Sequence, residues 1–172
     1  MKPSDITTKE HKPYFSLYIG QAPETTIVEG LESGLKEILA ILNAYPVEKH
    51  HYRYAEGKWT VKDMLQHIID TERIFMYRAL RIARGDKNAL AGYEQDDYVG
   101  PAKANDRAFE DMLEDYKLSR ANTVALFKSF DEEMLAQIGT ASGGPISARA
   151  AGYIIVGHEL HHMKVLQERY LN

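Results

Sequence analysis

The stretch "WTVKDMLQHIIDTERIFMYRALRIARGD", residues 59–86, reads as one long amphipathic helix. Val61, Met64, Leu65, Ile68, Phe75 and Ala79 fall on a single helical stripe. Thr60 stands where an N-cap belongs, with Asp63 three residues on, close to a capping box. Gly85 is a natural terminator at the far end. A helix apolar along one stripe has to bury that stripe, so partners of similar length are required.

The flanking segments supply them. In "ETTIVEGLESGLKEILAILNAYP" (24–46), Ile27, Leu31, Leu35, Ile38, Leu39 and Leu42 mark a helix that Pro46 stops. "NDRAFEDMLEDYKLSRANTVALFKSF" (105–130) is a third, with Phe109, Met112, Leu113, Tyr116, Leu126 and Phe127 among its apolar positions. Asp131 caps a short helix, "EEMLAQI", that ends at Gly139, and "TASGGPI" (140–146) follows as a turn-rich link. Ser147 then caps a last helix over roughly 148–170. Residues 1–23 carry Pro3, Pro13, Gly20 and Pro23 and read as an irregular lead-in. No segment reads as a strand. The expectation is an all-α four-helix bundle forming one domain over residues 1–172, with a short extra helix before the last long one. The connections after the second and third long helices are not tight hairpins, so a simple up-down-up-down order does not follow. The segment from Asp86 to about Asn105 has no helical period and is long for a loop in a compact domain, a length that often accompanies function.

Composition narrows the function. The chain of 172 residues has a net charge of -4 and no block of like charges, which argues against a nucleic-acid footprint. No run of eighteen apolar residues occurs, and "MKPSDITTKEHKPYF" lacks a secretory h-region, so a cytoplasmic protein without membrane contact is expected. With zero cysteines there is no disulfide framework, thiolate nucleophile or sulfur ligand. Any metal must be held by imidazole and carboxylate.

Three of the seven histidines crowd into "GHELHHMKV" (157–165). His158 and His162 are one helical turn apart and point the same way, and His158 lies in line with the bundle-facing Ala151, Ile154, Ile155, Val165 and Leu166. That spacing lets two imidazoles converge on one ion from a single helix. His158 and His161 also share a face, and spacing alone leaves that pair open. His11 lies in the lead-in and His50 and His51 in an inter-helix link. Only His67 sits inside another helix, flanked on its face by Met64, Thr71 and Ile74, which makes it the choice for a third ligand.

Residues 59–86, the following "YEQDDYV" and "GYIIVGHELHHMKVLQERYL" resemble the DinB-like family of metal-dependent proteins, as does the lead-in "YFSLYIGQAP". The resemblance spans nearly the whole chain. It implies a four-helix bundle in up-down-down-up order and a homodimer. It also implies a divalent ion, zinc or nickel, held by His67, His158 and His162, with His161 off the metal. Some relatives are thiol-dependent transferases or isomerases that use low-molecular-weight thiols and carry Gln three residues after the last ligand. Here that position is Val165, and the nearest glutamine is Gln167.

Three neutral imidazoles leave a divalent ion at its full formal charge, enough to acidify a bound water for hydrolysis or to activate a thiolate for transfer. The alternative is a bundle without catalysis, in which the metal is structural or supports partner binding. Asp63, Asp70 and Glu159 are the candidate bases by proximity. Asp63 also reads as a cap, and Asp70 and Glu159 as partners of imidazole N–H groups or as surface charges. Arg73, Arg78, Arg81 and Arg84 suit the helix dipole but also an anionic substrate. Trp59 and Tyr77 read as core or pocket wall, and the loop with Tyr93, Asp96, Asp97 and Tyr98 as a cover for the site mouth.

Overall fold

A computed structural model describes residues 1–171. Four long helices form the bundle: α2 (Ile27–Asn43), α3 (Val61–Ala83), α5 (Phe109–Lys128) and α7 (Ala148–Arg169). Shorter elements are α1 (Ser16–Ile19), α4 (Gln95–Ala102), α6 (Glu132–Ala136) and a hairpin of β1 (Ile138–Ala141) and β2 (Gly144–Ser147). The long helices begin where their local chemistry says they should. Thr26 and Thr60 accept from the backbone N–H of Glu29 and Asp63 in full capping boxes, and Ser147 accepts from Ala150. Asp131 caps α6 in the same way.

Pairings across the bundle give the helix directions. A Cβ on Gly30 would meet Val156 and one on Gly34 would meet Glu159, so α2 and α7 run parallel. Gln66 bonds Arg107, Glu72 bonds Arg120 and Met76 bonds Asn122, so α3 and α5 run parallel. Tyr170 donates to the Trp59 carbonyl while Ile82 packs near β1 ahead of α7, so α3 and α7 are antiparallel. The order is up-down-down-up. Parallel α3 and α5 require a connection that returns the length of the bundle, which accounts for the long segment before residue 109.

Two apolar clusters fill the interior. One gathers Ile27, Leu31, Phe75, Phe127 and Ile154, the other Ile38, Leu65, Ile69, Met112 and Leu166. Between them lies a buried ionic triad. Arg120, fully buried, bonds Glu72 through two parallel 2.9 Å contacts and Glu159 through both carboxylate oxygens. The same guanidinium donates to the Leu31 carbonyl at 2.9 Å, and Tyr116 donates to Glu159 at 2.9 Å.

The structure departs from the sequence expectation in three places. The turn-rich link at 140–146 is a hairpin, because Ser142 (φ 51°) and Gly143 (φ 73°) both take the left-handed conformation of a two-residue type I′ turn. The lead-in is packed: Glu10 is buried and bonds both Ser147 and Arg149, and α1 lies on α7. Helix α4 forms inside the segment that showed no helical period.

Replacing Arg120 with Met leaves two buried carboxylates without a cation, a change expected to remove about 3–5 kcal/mol. Urea denaturation measures this, and a loss below about 1 kcal/mol would show that the triad contributes little.

Candidate metal centre

α3 and α7 bring three imidazoles to one point. His158 Nε2 lies 3.0 Å from His67 Nε2 and 3.1 Å from His162 Nε2. The ligand atoms of all three lie within 4.8 Å of one another, and no other such group exists among the described residues. His67 and His158 are buried and His162 is partly so.

These contacts do not close as hydrogen bonds. An imidazole Nε2 offers one lone pair or one hydrogen, so His158 can satisfy one neighbour and not both. Three converging nitrogen donors instead suit a cation. Two nitrogens on a tetrahedral zinc, each at about 2.0–2.1 Å, stand about 3.3 Å apart, close to the spacing seen. The residues fit a metal.

Charge points the same way. Burial pushes His67 down to about 4 against the opposing carboxylate of Asp96, and burial together with His67 and His161 pushes His162 to about 3. His158 lies well below the ordinary value, through burial and then its histidine neighbours. Metal ligation needs neutral imidazoles, and the fold enforces them.

Surrounding side chains hold the rings. Trp59 packs on His67 with ring centroids 4.7 Å apart, so it is a wall of the site. Thr71 Oγ1 stands 3.5 Å from His67 Nδ1 and 3.0 Å from the Tyr93 hydroxyl. Tyr18 meets His158 and His161 edge-on at 5.1 and 5.6 Å. That approach depends on Gly157, where a Cβ would sit 1.7 Å from the Tyr18 carbonyl oxygen. His161 stays outside the cluster, its Nδ1 3.5 Å from Gln21.

The other expected residues fall out unequally. Asp63 is the N3 partner in the Thr60 capping box of α3, also bonded by Asn105. Glu159 is neither an imidazole partner nor a surface charge: it belongs to the Arg120 triad. Its face of α7 was the one that met α5. Asp70 accepts from Gln66 at 3.0 Å and shares a small cavity with His67, and burial raises its pKa. Tyr77 is not in the core: it is exposed, bonded to Arg81, and lines a surface cavity beside α3. His11 bonds the Lys12 carbonyl and His50 stacks on Phe109, both away from the centre.

Two larger cavities also reach the histidines. One of about 350 Å³ is lined by His158, Tyr18, Phe75, Arg78 and Tyr93, and another of about 320 Å³ by His162, Trp59 and Val165. Asp96 borders both, so the segment carrying Tyr93 and Asp96 stands at the mouth. Sequence reasoning did not single out Glu72 and Arg120. The signal was a charge inside each apolar stripe, at Leu65-Ile68-Glu72-Phe75 and Leu113-Tyr116-Arg120-Phe127.

Fold and site together define a four-helix-bundle protein with a buried three-histidine cluster open to cavities. Residues 31–166 match the DinB superfamily, and the chain belongs to that family. No curated protein sequence matches it. Among solved structures it is similar to YfiT from Bacillus subtilis, described as a probable metal-dependent hydrolase with an unusual four-helix bundle topology. That match has a TM-score of 0.75 and 15% identity, covering 92% of this chain and 91% of that one. A mycothiol-dependent maleylpyruvate isomerase aligns with a TM-score of 0.64 and 13% identity, over 81% of this chain and 62% of that chain. A DinB-like protein from Bacillus subtilis, YjoA, gives 0.58 and 21% identity, over 82% and 86%. At these identities the likeness is one of fold. Among the described residues, no helix is long and apolar enough to cross a membrane.

The depressed histidines make a pH prediction for the metal-free protein. Between the unfolded value of 6.5 and about 4, the unfolded chain binds protons that folded His67 excludes. Stability therefore falls as pH drops through that window, by about 1.4 kcal/mol per pH unit for each such histidine. Urea denaturation across the window is expected to show the loss, and a smaller loss in His162→Ala.

Proposed function

We propose that this chain is a metal-dependent enzyme, most simply a hydrolase, whose divalent ion (zinc or nickel) is held by His67, His158 and His162. The observation that carries the reading is the convergence of three imidazoles, with His158 Nε2 3.0 and 3.1 Å from those of His67 and His162, beside cavities large enough for a substrate. A structural metal site is closed by protein, whereas this one has protein ligands on one side and space on the other. When bound, the ion supplies Lewis acidity to a donor atom approaching from the cavity.

The chain's own residues supply the rest. Trp59, Thr71 and Tyr18 hold the rings in place. Asp70, whose pKa burial raises, lines a small cavity with His67 and is placed to accept and return a proton. Asp96 at the mouth is a second candidate for that role. Thiol-dependent transfer, the chemistry named for the structurally similar isomerase, is the lesser reading. Val165, where thiol-using relatives carry Gln, presents an apolar side chain to the cavity beside His162.

Metal analysis of the purified protein tests the site. About one ion per chain is expected for the wild type and for His161→Ala, and at least tenfold less for His67→Ala, His158→Ala and His162→Ala. A wild type without metal, or one whose metal survives His158→Ala, overturns the reading. Turnover of small esters or amides without added thiol distinguishes hydrolysis from transfer, and turnover only with bacillithiol or mycothiol reverses that choice.

A further inference from the structure

Of the four arginines that follow one another along α3, three are accounted for. Arg73 pairs with Asp115, Arg81 with Asp86, and Arg84 lies against Met134 and Phe130. Arg78 differs. It is only 3% exposed and has no carboxylate partner among the described residues, although Glu94 and Asp96 line the same cavity.

Its surroundings are built to hold it. Arg78 Nη2 donates to the Ala91 carbonyl at 3.0 Å and to Ser142 Oγ at 2.9 Å. The guanidinium lies 4.9 Å from the Phe75 ring centroid and 5.8 Å from that of Tyr93. Lys12 Nζ donates to the Ser142 carbonyl at 3.0 Å, adding a second cation at the hairpin tip. Nε and Nη1 of Arg78 have no protein partner among the described residues. A cation held this far from water is costly unless an anion meets it.

The placement relative to the histidines is decisive. His67, Thr71, Phe75 and Arg78 stand at i, i+4, i+8 and i+11, one face of α3, with about 16 Å of axial rise between the first and last. Helical side chains lean toward the N-terminus, so the guanidinium reaches back and the span shortens. Thr71, Phe75 and Arg78 line the 350 Å³ cavity that His158 also lines, together with Phe15, Tyr18 and Tyr93, while His67 faces a smaller cavity beside Asp70. With a divalent ion on the histidines, the cations of this cavity outweigh Glu94 and Asp96.

We propose that Arg78 is the anchor for an organic carboxylate, a small molecule with an apolar or aromatic body whose far end reaches the three histidines. This rests on the metal-enzyme reading for the far end and on Arg78 alone for the near end. One guanidinium with two free nitrogens, Nε and Nη1, side by side matches a monoanionic, planar carboxylate better than a phosphate dianion.

Calorimetric titration of the metal-loaded protein with 3-phenylpropionate, against the neutral 3-phenylpropanol, tests it. The carboxylate is expected to bind at least about tenfold more tightly than the alcohol. Arg78→Met is expected to erase that difference while leaving the metal content and the alcohol's affinity unchanged, and Arg78→Lys to restore part of it. Retention of the difference in Arg78→Met, or its loss on metal removal in the wild type, places the anion elsewhere and overturns the proposal. Tighter binding of phenyl phosphate than of the carboxylate overturns the carboxylate assignment. Carboxylate binding that depends on Arg78 in a protein found to hold no metal upholds the anchor while the metal reading fails. Should Arg78→Met not fold, a crystal structure of the wild type with 3-phenylpropionate decides by whether the carboxylate lies within hydrogen-bond distance of Arg78.

Discussion

One guanidinium touches all four long helices. Arg120 on α5 binds Glu72 of α3, Glu159 of α7 and the Leu31 carbonyl of α2. Apolar side chains alone tolerate a helix sliding along its neighbour, because dispersion contacts are many and individually weak. Charge-assisted hydrogen bonds in a dry interior do not, since a shift of an ångström breaks them and strands a charge. The triad therefore sets the axial register of the bundle. Gly34 is part of the same arrangement, because a Cβ there would come within 2.3 Å of a Glu159 oxygen.

That register is what the histidines require. His158 precedes Glu159, and His67 lies five residues before Glu72, so ligands and ions occupy different faces of the same two helices. With the Glu72–Arg120–Glu159 contacts fixed on one side of α3 and α7, His67 and His158 meet at 3.0 Å on the other. His162 needs no such help, since one helical turn already places it beside His158. The three-histidine cluster is positioned by an ionic contact that never touches it.

This division explains what could be read from the chain. Helix starts at Thr60, Asp131 and Ser147 depend on neighbours three residues away, and the pairing of His158 with His162 on one four residues away. Those were legible. The hairpin was not, because four-residue strands carry too little alternation and the stretch reads first as a turn. The burial of Glu10, the role of Glu159 and the distinction of Arg78 from its three neighbours all depend on partners more than thirty residues away. In each case the side chain was visible and its partner was not. Glu72 and Arg120 sat openly inside apolar stripes, where a charge is a sign of a buried counter-charge.

The parallel pairing of α3 and α5 has a further bearing on how such a protein can diversify. The histidines ride on helices whose register is locked, whereas Tyr93, Asp96 and the Ser142 tip ride on connections that only have to span the bundle. Lengthening a flexible connection twofold costs about 0.6 kcal/mol in closure entropy. The cavity walls can thus be rebuilt by insertion and deletion at small thermodynamic penalty, while the histidine geometry, carried by another part of the chain, is left alone.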